Sequence, residues 1–285
     1  MANLLINEVN TNQGPAKINY NGLANLPDLK NMFSNPNLLI NSDFRNPVNQ
    51  RGQTNYTGTG SSMRYTIDRW GIINGPVLTV QDGSLKIQVA SSDAYSGKFK
   101  QPFEHALPSD FYTLSVKVKS NTHNVSITNF GKIDAGFTGI YSYATQLKLT
   151  LDDIEFFIAP GASIEIEWIK LERGAVATPL VPRSYAEEMA MCQRYYRILH
   201  RTPMFTADTT RVSYFVPAVF GVPLRDAPVL KNIQVVELLN SSAVNQTDSS
   251  VTAISAYKQN IASVTLSKNI GTFGYISLNL DAEIY

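Results

Sequence analysis

The chain has 285 residues, of which only 16% are charged, with 24 Lys and Arg against 23 Asp and Glu. Its length exceeds the roughly 100–200 residues of one domain, so two domains and a small appendage are expected; so even a balance offers no field to draw the chain onto nucleic acid or anionic lipid. The single cysteine excludes an intrachain disulfide, and with only His105, His123 and His200 beside it no Cys/His zinc site can be assembled.

Residues 1–35 are rich in Asn, Gly and Pro, with one short apolar segment, "LINEV", and a possible helical turn after Pro27 in "LPDLKNMF". Their few apolar groups cannot offset the entropy of ordering, so the segment is expected either to fray or to act as an anchoring arm docked on a body, a sister subunit or a larger assembly. It carries neither a basic leader nor an apolar run near the ~18 residues needed to span a bilayer, which points to a product made in a cytoplasm, without membrane insertion.

From residue 36 to 182 the period is two. "SLKIQVA", "FYTLSVKVKS", "NVSITNF", "ATQLKLTL", "IEFFIA" and "SIEIEWIKLE" alternate apolar and polar residues between "DD", "PGA" and "GS" turn clusters. Roughly ten such runs with no helix between them predict two packed sheets, a mainly β jelly-roll sandwich. Ile164, Ile166 and Trp168 are expected on one buried face, and Trp70 and Trp168 in the core.

Residues 183–200 hold the one long helical pattern, "YAEEMAMCQRYYRIL", predicted to span Tyr185 to Leu199. Ser184 and Glu187 fit a capping box, and Arg194 and Arg197 fall near the expected C-terminal end, where the helix dipole favours cations. Tyr185, Met189, Cys192, Tyr196 and Leu199 recur at spacings of four and three and form one stripe. That stripe packs on a β-domain of its own chain, or meets its copies about a symmetry axis as an oligomer interface. In either case Cys192 is expected to be a small buried hydrophobe. Residues 201–285 return to strand patterns and predict a second, smaller β-domain, interrupted by a polar loop at 240–250.

Signals for chemistry are weak. Glu165 and Glu167 stand at i and i+2, a spacing open to paired glycosidic carboxylates but more typical of a solvated strand face. Asp152 and Asp153 are expected to form a turn. No G-x-S-x-G elbow occurs, "GTGSS" at 58–62 lacks the Lys and helix of a phosphate loop, and no D-x-D-x-D-G calcium loop is present. No catalytic residue, metal or cofactor is assigned, and a non-enzymatic protein is expected. Sugar binding needs aromatic faces beside amides and carboxylates. Gln53, Asn55 and Tyr56 in one connection, and Tyr141 and Tyr143 on one strand face, are the candidates.

The strings "PNLLINSDFRNPVNQRGQ", "YTIDRWGI", "IEWIKLERGAVATPLVPRSYAEEMAMCQRYYRI", "VPLRDAPVL" and "DAEIY" resemble a recurrent module of tailed-phage and prophage fibre or appendage proteins. The resemblance runs from Pro36 to Tyr285. It implies a carbohydrate-binding-like jelly roll and a distal β-domain in a homotrimer placed in the virion; residues 1–35 lie outside the resemblance and are expected, as an anchoring arm, to attach it to other virion proteins. Its partner would be a host cell-surface glycan. A purely structural decoration or connector protein, and a surface-polysaccharide depolymerase, are the alternatives.

Overall fold

The computed structural model describes residues 8–11, 14–17, 34–205, 213–219, 221–226, 228–239, 242–246, 251–256, 260–266 and 273–283. Within 1–35 these include an antiparallel pair, β1 (Glu8–Thr11) and β2 (Gly14–Lys17); the helical turn expected after Pro27 lies outside the described residues. No described helix is long and apolar enough to cross a membrane.

The protein is mainly β, and its first large unit is a jelly-roll sandwich. In chain order its strands are β3 (Asn55–Thr57), β4 (Arg64–Tyr65), β5 (Gly71–Ile73), β6 (Val77–Gln81), β7 (Ser84–Gln88), β8 (Gly97–Leu107), β9 (Phe111–Asn121), β10 (Val125–Ile127), β11 (Lys132–Ile133), β12 (Gly139–Gln146), β13 (Leu151–Ile158) and β14 (Ser163–Arg173). One six-stranded sheet runs β12-β9-β14-β7-β6-β3 and the other β11-β10-β13-β8-β5-β4. The alternation seen in the sequence is what closes them. Leu114, Val116 and Val118 of β9 face Ile154, Phe156 and Ile158 of β13, and all six are buried. Each such side chain contributes roughly 1.5–3 kcal/mol. Trp70 is fully buried, stacked on Phe99 at 4.6 Å, and its indole N–H donates to the Asn41 carbonyl at 2.8 Å, so its one polar group is satisfied.

Trp168 does not follow the expected alternation. Pairing of β14 with β9 slips at Glu165/Ile166 and again between Ile166 and Trp168. The extra residue at this bulge turns the strand over. Ile164 and Ile166 face the core before it, Ile169 and Leu171 after it, and Trp168 is left half-buried outside, bridged to Asp43. Beyond the bulge the outer face carries Lys170 and Glu172, an ion pair at 3.1 Å with side chains 1% and 0% exposed. Two straps seal it: Ser34, Thr178 and Pro179 accept hydrogen bonds from Lys170, and Thr178 donates to Glu172 through its amide and hydroxyl. Asp152 and Asp153, expected in a turn, lie inside β13.

The helix is shorter than the sequence predicts. α1 spans Tyr185–Cys192, and its capping box forms as read: the Glu187 amide donates to Ser184 Oγ while Glu187 Oε2 accepts from the Ser184 backbone. It stops because "YYRIL" has β-sheet partners. Strand β15 (Tyr196–Phe205) begins four residues later and pairs with β21 (Phe273–Asp281). Tyr196 and Leu199 are therefore strand residues, so the stripe is not a continuous helical seam. Tyr185 is exposed, Met189 is half-buried, and Cys192 is the one buried residue of the helix. The helix docks on its own sandwich: Glu188 accepts from the Asn41 amide at 2.7 Å and from Arg183, which also donates to the Leu39 carbonyl. Arg194 and Arg197 fall past the helix end.

β15 and β21 belong to a seven-stranded antiparallel sheet with β16 (Ser213–Val219), β17 (Val229–Leu239), β18 (Ser242–Gln246), β19 (Val251–Ala256) and β20 (Asn260–Leu266), ordered β18-β17-β21-β15-β16-β20-β19. β18 occupies part of the segment expected to be a polar loop.

Candidate functional site

Where the sandwich meets the C-terminal sheet, four charged side chains are enclosed. Arg69 Nη1 lies 2.6 Å from Glu283, and Arg51 lies 3.1 Å from Asp68 and 3.6 Å from Glu283. The guanidinium of Arg51 sits 3.9 Å over the Tyr196 ring and that of Arg69 3.6 Å over the Tyr195 ring. Burial raises the pKa of Asp68 from 3.8 to about 7, overriding the opposing pull of Arg51 and of the Gln50 backbone amide. Its side chain is fully enclosed, with one oxygen on Arg51 and the other on the Gln50 amide. No reacting group can reach it, so the shift marks a structural ion cluster.

Over this cluster stands the loop 58–63. Its base is fastened by two backbone bonds, Gly58 amide to Pro76 carbonyl at 2.8 Å and Asn74 amide to Gly60 carbonyl at 2.9 Å. Gly58 packs closely there, since a Cβ would stand 3.1 Å from Pro76 Cδ and 3.3 Å from the Gly75 nitrogen, and a side chain would need those neighbours to give. Asn74 and Gly75 both adopt positive φ, 62° and 87°, which these two residue types tolerate best. A fixed loop of small exposed residues is thus held between three depressions.

The first, about 490 Å³, opens at the junction and is lined by Arg51, Gln53, Arg64, Tyr65, Tyr196 and Asp281 among others. The second, about 710 Å³, lies beside the outer face of the sheet that contains β8 and β13, with Met63, Phe103, Lys100, Glu104 and Asp152 on its walls. The third, about 310 Å³, is formed by Gly60, Ser61, Asn74, Asp93 and Tyr95. Tyr95 is 73% exposed, the most accessible aromatic side chain among the described residues. It presents a ring face beside an amide and a carboxylate, the set that a pyranose needs.

The residues predicted from sequence do not form one site. Tyr56 is 1% exposed, packed in the core, and its hydroxyl donates to Asn49 at 2.5 Å, while burial raises its pKa to about 12. Strand alternation around Tyr56 puts its ring inward. Gln53 is exposed and lines the junction cleft, whose wall Tyr56 also reaches; Asn55 is exposed on the other face of β3 and accepts from Thr79. Tyr141 and Tyr143 do share a face, with rings 6.5 Å apart and near parallel, but Tyr141 packs on the core and donates to the Phe130 carbonyl. They sit on β12, at the opposite edge of the same sheet from β3, roughly 24 Å away at ~4.8 Å per strand. Tyr95 is not among the residues expected from sequence. Its signal was a tyrosine alone in a dense turn segment, "SSDAYSG", where nothing apolar could cover it.

Of the four carboxylates weighed for chemistry, Glu165 and Asp153 are held by cations. Partial burial would raise Glu165, but hydrogen bonds from Ser84 and Lys119 and the Lys119 charge hold it below the usual carboxylate range, opposite to a general acid. Asp153 is 2.5 Å from Lys100. Among the described residues no group of His, Cys, Asp and Glu is arranged to hold a metal ion.

No family model matches the chain, and no curated protein does. Among solved structures it is similar to a family 29 carbohydrate-binding module, at 15% identity and a TM-score of 0.32 over 44% of this chain and 91% of the module. An altered form of a family 29 module gives 16% identity and 0.33 over 45% and 99%. A form complexed with mannohexaose gives 14% identity and 0.30 over 42% of this chain and 90% of that one.

Proposed function

We propose that this chain is a fibre or appendage protein of a tailed phage that holds a bacterial surface glycan without performing chemistry on it. The observation that carries the reading is the Tyr95 depression: an exposed ring beside Asn74 and Asp93, sharing its walls with Gly60 and Ser61 of the loop whose base is fixed by two backbone bonds. A preformed site binds without the cost of ordering it. Gln53 and Arg64, exposed in the adjoining junction cleft, extend the surface that a longer saccharide would touch. In this reading the protein is made in the host cytoplasm, joins the virion through residues 1–35 and works as a homotrimer, where three weak sites add avidity.

The test is a bacterial glycan array probed with the full chain, followed by binding to intact cells carrying the glycan that scores. Tyr95→Ala should abolish both signals. An array and a cell panel that stay silent with the unaltered chain would replace this reading with that of a virion connector.

A further inference from the structure

The largest of these three depressions makes no use of Tyr95 and has a different chemistry. It arises from a break in the sheet. In the ladder between β8 and β13, Asp153 stands opposite Pro102 and Leu151 opposite Leu107, so Phe103, Glu104, His105 and Ala106 of β8 face the single residue Asp152 of β13. That irregularity gives up backbone pairing and pushes out a wall, a device frequent where a strand must re-aim side chains toward a site. Met63 of the 58–63 loop forms the facing wall, laid so closely on Gly71 that a Cβ there would stand 2.5 Å from its Cε. The space of about 710 Å³ is that of a small-molecule pocket.

Its surface is apolar, from Met63, Ile73, Pro102, Phe103 and Ala106, with charges set around it. Most of these are already neutralised. Lys100 is bound to Asp153 at 2.5 Å, and Glu104 accepts from Arg194 at 2.7 Å and from the Tyr195 hydroxyl at 2.7 Å. Asp152 is exposed and forms neither an ion pair nor a side-chain hydrogen bond. With Asp153 paired to Lys100 and Glu104 to Arg194, Asp152 is the charge left to give the groove a net negative sign over an apolar floor.

We infer that this groove binds an amine-bearing saccharide, its ring and methylene faces on Met63 and Phe103 and its ammonium group beside Asp152. It is a second subsite, on other residues than the Tyr95 depression; that its ligand is a saccharide rests on the function proposed above.

The experiment uses the full chain and two probes that differ only at nitrogen: a glucosamine hexamer with protonated amines, and its fully N-acetylated counterpart. Calorimetric titration should show the cationic hexamer bound more tightly, with affinity falling as salt is raised. Asp152→Asn should weaken it about two- to fivefold, the range of an exposed charge pair, while leaving the melting temperature unchanged. Phe103→Ala should weaken both hexamers, and Tyr95→Ala neither. Equal affinity for the two hexamers, no response to Asp152→Asn, or no binding of either probe each overturns the inference. Loss of array binding in Tyr95→Ala with hexamer binding intact would leave both sites standing as distinct.

Discussion

Arg69 and Glu283, 214 positions apart, form a 2.6 Å ion pair with side chains 1% and 0% exposed. Arg69 belongs to the turn between β4 and β5, with φ at 71°, and Glu283 follows the last strand. The same guanidinium donates to the Pro102 carbonyl and covers the Tyr195 ring. Two β-units that could have met through apolar side chains are joined instead by a shielded charge cluster. Such a cluster specifies a single mating of the two surfaces, because any slip would strand a charge out of water.

That relationship fixes the first expectation. Glu283→Gln leaves Arg69 buried without its counter-charge and should cost about 3–5 kcal/mol. The paired change Arg69→Met with Glu283→Leu should recover much of that loss. Urea unfolding of the parent and the two variants measures it, and a double variant no more stable than Glu283→Gln would overturn the expectation.

Asp68 sets the pH response of the same junction. Its folded pKa is raised to about 7 from an ordinary 3.8, so between these values the folded chain keeps a proton that the unfolded chain has released. The stability this contributes is complete below 3.8 and is lost as pH rises through about 7. Other carboxylates act oppositely: Glu104 and Glu165 are held below their ordinary values despite partial burial, by hydrogen bonds and neighbouring cations, so their contribution is lost as pH falls. Comparing unfolding free energies of the parent and Asp68→Asn isolates the Asp68 part. The difference should shift steadily against the parent from pH 4 to about 7, and a flat difference sinks the assignment.

Much of this architecture was legible in the sequence, and the failures have physical causes. Strand alternation gave the sandwich because a period of two needs only local pattern. It misplaced Trp168 because one extra residue at the β14 bulge inverts every side chain after it, and no local signal marks a bulge in "IEIEWIK". It lengthened α1 because Tyr196 and Leu199 fit a helical stripe, while their partners Asp281 and Leu278 lie some eighty residues on. It could not tell that Tyr56 is buried and Tyr95 exposed, because composition identifies a tyrosine but not the direction of its ring. The buried Arg51, Asp68, Arg69 and Glu283 were invisible for the same reason: their partners are set by the meeting of two units.

Cys192 offers a clean reporter of global opening. It is fully buried, and burial pushes its thiol well above the ordinary range, with the nearby carboxylates adding to the effect. Labelling by an aromatic disulfide at neutral pH should follow unfolding and accelerate with urea at the slope of the global transition. A rapid stoichiometric reaction in native buffer would place the thiol at an open surface instead.

Tyr56 and Tyr95 give the sharpest separation between fold and recognition. Tyr56→Phe removes only the hydroxyl that Asn49 accepts, inside the core, and should cost about 1 kcal/mol of stability. Tyr56→Ala should cost about 3–5 kcal/mol by leaving a cavity. Tyr95, 73% exposed, has little to lose: Tyr95→Ala should alter stability by less than about 0.5 kcal/mol. Its ring is nevertheless the one aromatic face open in its depression, so the same change should weaken the scoring glycan at least tenfold, about 1.4 kcal/mol. Melting curves and array titrations on the three variants resolve the two roles. If Tyr56→Phe lost binding at full stability while Tyr95→Ala kept it, recognition would move to the junction cleft, with Gln53 and Arg64 as the next positions to change.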